Sequence, residues 1–206
     1  MGVERFFVPF FLPLLLDFLR NILFHVTYYI SFNGKIYKMN TIHSMQKNEI
    51  ESFYPIFTNS LNTQFPGYSK SVITYLLSEI YTVSNFSYWI EKELKTILLS
   101  TDNNTISGFA VIDAPYGGVS LLRWLGVKDE YQHKGIGTQL IHSWEEHARS
   151  QGSHKMEVAS QPEAKEFYAK AGLTLEGLRK QSYFGIDQYL YGKVISTPTD
   201  RVMVGY

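Results

Sequence analysis

The spacing of apolar residues predicts a mixed α and β chain from about Lys35 onwards. In the first half of the chain, apolar positions recur every three or four residues in two long segments. We expect a strand over residues 35–42, helices over 48–62 and 69–83, and a short helix over 87–93. Pro55 falls early in the first helix and predicts an irregular start there. The segment FPGY at 65–68 is predicted as a turn.

The second half predicts three consecutive strands followed by a strand–helix–strand unit. Strands over 96–100 and 106–113 are joined by the polar segment TDNN, which is a hairpin signal, and a third strand follows over 119–127. A helix from about Gly137 to Gly152 and a strand over 155–160 come next. The strands over 119–127 and 155–160 are expected to lie side by side in parallel, because such crossover units bring them together. The helix has one apolar face, formed by Leu140, Ile141, Trp144 and Ala148.

Proline and glycine positions complete the predicted architecture. Pro162 suits the first turn of a further helix and Gly172 suits its end. Final strands are predicted over 173–179 and 183–194. An antiparallel meander that leads into a parallel unit is typical of an α+β fold. We therefore expect an α+β fold with a sheet of about six to seven strands.

Composition and charge exclude several classes of protein. The 206 residues have a formal net charge of zero and a pI near 7, so nothing favours nucleic-acid binding. The absence of cysteine excludes disulfides, thiolate metal sites and a cysteine nucleophile, and it fits a reducing compartment. His142 and His147 lack metal-ligand spacing, and we expect no metal site.

The first 38 residues are unusually apolar and are predicted to be a separate extension. Residues 6–16 form an apolar run, but two prolines, Asp17 and Arg20 count against a spanning helix, and no signal-peptide cleavage site follows. Three interpretations stay open: membrane association through residues 6–32, an element that packs on the domain or between two copies, or translation from an upstream start with Met39 at the ordinary N-terminus. The predicted boundaries are 1–38 for the extension, 39–195 for the domain and 196–206 for a tail.

The segment QHKGIG at 132–137 lies between a predicted strand and a predicted helix. Its two glycines allow close approach of the backbone to a ligand, and the helix N-terminus favours negative charge. The segment matches neither the Walker A template nor the dinucleotide-binding template, since Leu140 stands where the latter requires glycine. By itself the segment fits either an ordinary turn or a loop that holds a pyrophosphate.

A second motif, QPEAKEFYAKAGL at 161–173, follows the next strand. Together with the loop at 132–137, it resembles the GCN5-related N-acetyltransferase (GNAT) superfamily, which has Gln/Arg-x-x-Gly-x-Gly/Ala and then Asn-x-x-Ala-x-x-Phe-Tyr-x-x-x-Gly-Phe. The resemblance is good over 96–194 and looser over 40–95. This chain departs from the pattern at Gln161, where the family has Asn, and at Leu173, where it has Phe.

The resemblance implies a GNAT fold with α/β/α layers, in which a mixed sheet of about six to seven strands has a splayed parallel pair and flanking helices. It also implies acetyl-CoA as acyl donor and an amine as acceptor. Backbone N–H groups of the loop are then expected to hold the pyrophosphate, and free backbone groups of the splayed strands are expected to pair with the pantetheine amides. The implied cofactor-binding residues are Leu125, Val127, Gln132, His133, Lys134, Gly135, Ile136, Gly137, Thr138, Gln161, Ala164 and Phe167.

The same resemblance aligns Tyr168 with the general acid that protonates the leaving sulfur. Glu157 is the predicted general base, with Asp113 or a water chain as alternatives. A core tyrosine and a surface glutamate are the corresponding structural interpretations. The acceptor pocket is expected between the first two helices and their connecting turn. Its predicted wall consists of Phe65, Tyr68, Tyr75 and Tyr81, with either Arg123 or Trp124 facing the cleft.

The function predicted from the sequence is an N-acetyltransferase that acts by direct transfer on a small-molecule or peptide amine. We expect a cytoplasmic location and a monomer or homodimer. Two alternatives remain: a non-catalytic module of the same fold that binds acyl-CoA, and a membrane-associated acyltransferase.

Overall fold

The computed structural model describes residues 29–32, 35–38 and 40–200, and the chain divides into two units between Thr41 and Ile42. In the first unit, β1 (Tyr29–Phe32) and β2 (Lys35–Lys38) form an antiparallel two-stranded sheet. The apolar run at 6–16 lies outside the described residues, so its three interpretations stay open. Among the residues described, none of the helices combines the length and the apolar character needed to cross a membrane.

The second unit contains the helices and the main sheet. Its elements are β3 (Thr41–Ser44), α1 (Ile50–Thr63), α2 (Lys70–Tyr75), α3 (Val83–Glu91), β4 (Lys95–Asp102), β5 (Thr105–Asp113), β6 (Val119–Val127), α4 (Ile136–Ser150), β7 (Lys155–Ser160), α5 (Lys165–Lys170), β8 (Thr174–Arg179) and β9 (Gln188–Val194). The seven strands have the order β3-β4-β5-β6-β7-β9-β8. β6 and β7 are parallel, as predicted.

Alternating residues of the central strands separate two hydrophobic cores, one on each face of the sheet. Phe109 and Val111 of β5 pack with α1, α2 and α3, whereas Ala110 and Ile112 pack with α4 and α5. The predicted apolar face of α4 is fully buried in the second core, and its Trp144 indole N–H donates to Ser120 Oγ at 2.9 Å. The layered α/β/α architecture is therefore the one that the resemblance implies.

Four predicted elements were wrong in their bounds: the strand over 35–42, the helices over 69–83 and 87–93, and the strand over 183–194. The strand predicted over 35–42 is divided into β2 and β3. The helix predicted over 69–83 ends at Tyr75 and continues only as a π-helical turn over Leu76–Ile80. The Thr82 hydroxyl accepts a hydrogen bond from Asn85 N at 3.1 Å and caps a new helix, so α3 begins at Val83.

The strand predicted over 183–194 begins only at Gln188. Residues 183–185 form a tight turn in which Phe184 and Gly185 have φ angles of 60° and 77°. A left-handed backbone cannot continue a strand, and this turn projects from the sheet as part of the β8–β9 loop.

The parallel pair separates part-way along its length. β6 and β7 pair only from Val119 with Lys155 to Leu122 with Val158. On the other side of β6, Ile112 pairs with Leu122 but Val111 pairs with Trp124, so a β-bulge occurs at Arg123. Leu122 therefore packs in the core of α4, whereas Trp124 packs in the core of α1. Beyond the bulge the two parallel strands diverge and leave a gap in the sheet.

Candidate active site

A cavity of about 1090 Å³ lies at the gap between β6 and β7. Its walls come from the end of β6, the start of α4, the end of β7, α5, the turn between α1 and α2, and the β8–β9 loop. Both predicted catalytic residues, Tyr168 and Glu157, line it. So do all the predicted cofactor-binding residues except Lys134.

The start of α4 forms one end of this cavity. Gly135 is the N-cap residue with a φ of 81°, and no side chain of the described residues caps the helix. His133, two residues earlier, also has a positive φ of 59°. Because the first-turn N–H groups of an α-helix lack intrahelical partners, those of Ile136, Gly137 and Thr138 are available to an anion.

Gly137 allows α4 and α5 to approach closely at the cavity. A Cβ atom at this position would lie 3.0 Å from the Phe167 ring and 3.9 Å from Val127. Any larger residue would have to displace Phe167, which is part of the second motif. The glycine of the first motif and the phenylalanine of the second are therefore in direct contact.

Two glutamines hold the end of β6 in place. Gln132 Nε2 donates to the Val127 carbonyl at 3.2 Å and to Asp129 Oδ1 at 3.0 Å. Gln64 Nε2, at the end of α1, donates to the same two atoms at 2.8 and 3.1 Å. Sequence reasoning missed Gln64, because no local pattern connects it with a loop far along the chain.

Lys134 is the predicted binding residue that does not line the cavity. Its Nζ lies 5.1 Å from the centre of the Tyr131 ring, which Lys128 Nζ also approaches to 5.8 Å. The lysine is thus placed beside the loop, where it contributes positive charge near the start of α4.

Tyr168 of α5 is buried, and only 6% of its surface is exposed. Its ring packs against Phe167 and Tyr191, with centroid distances of 5.0 and 6.0 Å. Burial raises the pKa of its phenol well above the usual value for tyrosine. The side chain is thus both a core residue and a cavity residue, so the two interpretations from the sequence are compatible.

Glu157 lies on the opposite face of β7 from Val158, which packs with α4 and Tyr168. Its Oε1 is 2.9 Å from Lys155 Nζ, and the same ammonium group is 2.7 Å from Glu176 Oε2. These hydrogen bonds, first the one with Glu176 and then the one with Glu157, raise the pKa of Lys155. Asp113, the alternative base, is ion-paired with Lys95 and Arg123 and is absent from the cavity lining.

Aromatic rings form the wall of the cavity on the α1 and α2 side. All four predicted wall residues line it, and so do both Arg123 and Trp124. Trp124 is central, since its ring lies 4.9 Å from Phe65, 5.5 Å from Tyr81 and 5.9 Å from Tyr68. Burial raises the pKa of the Tyr68 and Tyr81 hydroxyls, so both stay protonated near neutral pH.

Sequence reasoning missed several residues that line the same wall. Phe184 of the β8–β9 loop lies 5.9 Å from Tyr68 and was assigned to a strand. Glu176 and Gln188, on β8 and β9, also line the cavity. A signal for Phe184 was available in the sequence FGID at 184–187, because a Gly there permits a turn.

The match to a known family covers more than half of the chain. A model of the acetyltransferase (GNAT) family matches residues 55–173. A comparison with curated proteins finds no match. Many solved structures share the fold.

Two of these structures were determined with a ligand. PaiA N-acetyltransferase from Thermoplasma acidophilum, in complex with coenzyme A, is 20% identical, with a TM-score of 0.65 over 76% of this chain and 99% of that one. A phosphinothricin acetyltransferase from Sinorhizobium meliloti, in complex with AcCoA, is 18% identical, with a TM-score of 0.64 over 79% and 94%.

A third similar structure is a ribosomal-protein-alanine N-acetyltransferase from Brucella melitensis. It is 16% identical, with a TM-score of 0.61 over 75% of this chain and 99% of that one. The fold, the ordered motif pair and the family match agree. The chain belongs to the GNAT acetyltransferase family.

Proposed function

We propose that this protein is an N-acetyltransferase that transfers an acetyl group from acetyl-CoA directly to a primary amine. Membership of the GNAT family supports acetyl transfer in general. The observation that carries the finer proposal is the cavity at the strand gap, where the uncapped start of α4 and the buried Tyr168 meet. Two structures of similar fold contain coenzyme A or AcCoA.

The residues of the cavity fit acetyl-CoA. The N–H groups at the start of α4 suit its pyrophosphate, and Gly135 and Gly137 keep side chains away from that position. On the β7 side, backbone groups of β6 beyond Leu122 are unpaired with β7 and suit the amides of pantetheine. When bound, acetyl-CoA supplies an acyl group activated as a thioester.

Tyr168 is the proposed general acid. Transfer forms an N–C bond and breaks a C–S bond, so the sulfur must gain a proton or a hydrogen bond as it leaves. A phenol with a raised pKa remains protonated at neutral pH and can donate there. Burial alone accounts for this raised pKa, with no contribution from a hydrogen bond of the described residues, so the hydroxyl is available to the sulfur.

Glu157 is the proposed general base. The attacking nitrogen must lose a proton, and Glu157 is paired directly with Leu121 of β6, one residue before the strands separate. Glu176 binds the same lysine, but it lies on β8, and β9 and β7 stand between β8 and the gap. The sequence has no cysteine to form an acyl-enzyme, which supports direct transfer within a ternary complex.

Gly135→Glu is expected to prevent acetyl-CoA binding, because it adds a carboxylate where the pyrophosphate is proposed to bind. Like charges brought together cost several kcal/mol, so affinity should fall by at least about 100-fold. Gly117→Glu is the matched control: Gly117 also has a positive φ, 58°, and open space around it, but it lies outside the cavity lining. Calorimetric titration with acetyl-CoA measures both. Absence of binding by the wild-type protein would contradict the proposed function.

Tyr168→Phe is expected to lower kcat by about 100-fold, since it removes the proton donor to the leaving sulfur. The KM for acetyl-CoA should change little, because the ring and its packing are retained. Release of free thiol measures the rate over a panel of amines, with Tyr116→Phe, an exposed residue outside the cavity, as control. An unchanged rate in Tyr168→Phe contradicts the acid role; slow hydrolysis alone in the wild type would favour a non-catalytic acyl-CoA-binding module.

Tyr168 should also make stability depend on pH in alkaline solution. Its folded pKa lies above the unfolded value of about 10, so its contribution is complete below pH 10 and is lost as the pH rises further. The wild type should lose up to about 1.4 kcal/mol per pH unit more than Tyr168→Phe between pH 10 and 11. Urea unfolding at several pH values measures this, and parallel curves for the two proteins would show that the pKa is not raised.

Glu157→Gln is expected to lower kcat/KM at neutral pH by about 100-fold, and activity should partly recover as the pH rises and more of the amine is already neutral. Glu176→Gln removes a carboxylate from the same lysine and should cause a smaller loss with no such recovery. The pH profiles of both variants are compared with the wild type. Equal profiles for the two variants would assign the base to another group.

A further inference from the structure

Three buried polar atoms of the cavity wall have no hydrogen-bond partner within the described chain. They are the indole N–H of Trp124, the Nε2 of Gln161 and the Oε1 of Gln188, and their residues are only 8%, 9% and 6% exposed. All three residues line the cavity. An unpaired buried polar group destabilises the fold, so such atoms require an explanation. A bound ligand with complementary groups provides one.

The two glutamines lie next to each other across β7 and β9. The last register pair joins Ser160 with Tyr189, so the next position pairs Gln161 with Gln188. Tyr189 packs on the α4 side of the sheet, and Gln188 therefore faces the other side, where α1 and α2 lie. Gln161 faces the same way, since its Oε1 accepts from Gly67 N at 3.4 Å in the turn between α1 and α2.

The orientation of the two amides leaves one donor and one acceptor side by side. The bond from Gly67 occupies the oxygen of Gln161. Its NH₂ group lies beside the Tyr68 hydroxyl without making a hydrogen bond of normal geometry, whereas Gln188 presents its oxygen. An uncharged amide group has the complementary pair, a carbonyl that accepts and an N–H that donates. Trp124 adds a second donor: its indole N–H lies beside the Tyr81 hydroxyl without making a hydrogen bond of normal geometry.

The rest of the wall favours an apolar molecule with a single positive charge. Aromatic rings surround Trp124, and the lining contains three carboxylates and two guanidinium groups. The excess of one negative charge suits one positive charge on the ligand and not a polycation. Two of these carboxylates, Glu157 and Glu176, already share Lys155. The strands separate at Val158, and Gln161 lies three residues further along. Three residues span about 10 Å of a strand, which is the distance from the point of separation to Gln161.

We propose that the acceptor is an apolar, ring-sized monoamine that carries one uncharged amide, and that Gln161 and Gln188 bind this amide. The inference rests on the proposed function, since it concerns the acceptor of the same reaction. It removes Gln161 from the predicted acetyl-CoA contacts and makes it a specificity residue for the acceptor. The amide belongs either to a free small molecule or to the backbone near a peptide N-terminus.

The test uses amines that differ only in the group at the far end of the ring. In the presence of acetyl-CoA, 4-(2-aminoethyl)benzamide should have a kcat/KM about 10-fold to 100-fold above that of phenethylamine and of 4-(2-aminoethyl)benzoate. Spermidine serves as the polycation. The tripeptide amide Phe-Ala-Ala-NH₂ tests whether the amide belongs to a small molecule or to a peptide backbone. Faster acetylation of the tripeptide than of the benzamide indicates a peptide, and the reverse indicates a small molecule.

Variants at Gln188 test the amide contact itself. Gln188→Leu should lose the preference for the benzamide, and Gln188→Glu, which keeps an acceptor oxygen, should retain part of it. Gln151→Leu, at an exposed position outside the cavity, is the control, and stabilisation by acetyl-CoA shows that each variant is folded.

Each remaining outcome overturns the inference in a distinguishable way. Acetylation of phenethylamine or spermidine at least as fast as the benzamide contradicts the amide contact and leaves the proposed function intact. Acetyl-CoA binding without acetylation of any of these amines contradicts the acceptor class, and turnover of another amine in the wider panel shows that the proposed function still holds. Failure to bind acetyl-CoA contradicts the proposed function, and the inference with it.

Discussion

Backbone pairing between β6 and β7 stops at Leu122 and Val158, and the candidate active site is arranged around that point. The cause lies within β6, where the bulge at Arg123 makes the strand change which residues face each core. Leu122 packs in the core between the sheet and α4, and Trp124 packs in the core between the sheet and α1. Two cores on opposite faces thus fix the divergence of one strand, and the loss of strand pairing leaves backbone groups free for a ligand.

A divergent strand end needs support, because its backbone groups no longer belong to a complete ladder. The carbonyl of Val127 receives hydrogen bonds from both Gln64 and Gln132, one from the end of α1 and one from the loop before α4. The contact between Gly137 and Phe167 then connects α4 with α5. Apart from Gln64, the residues that hold the acyl-donor side of the cavity therefore come from one stretch of the chain, from the end of β6 to α5.

The sequence could predict those parts of the site that come from one continuous segment, but not those assembled from distant segments. The bounds of β6 and β7 and the buried face of α4 follow from strong periodicity, and the α4 loop and the α5 motif each lie in one continuous segment. The opposite side of the cavity is assembled from distant segments, so Gln188 and Phe184 carried no local signal of a shared cavity, and neither did Gln64 at the end of β6. The side chain of Gln161 illustrates the limit: the motif predicts its position in the sequence, but only the register with β9 and the contact with Gly67 place it on the α1 and α2 side of the sheet.

The β8–β9 loop carries the clearest local strain on the acceptor side. Gln181 and Phe184 both adopt positive φ angles, 44° and 60°, which are uncommon for residues other than glycine. Contacts of Phe184 with Tyr68 and Tyr75 offset part of that cost and bring the loop against the wall of the cavity. The strand gap and the start of α4 belong to the sheet and its helices, whereas this loop can vary without disturbing either core. If the acceptor binds as proposed, substitutions in the loop and at Gln188 can change its selection while the start of α4 and the strand gap stay the same.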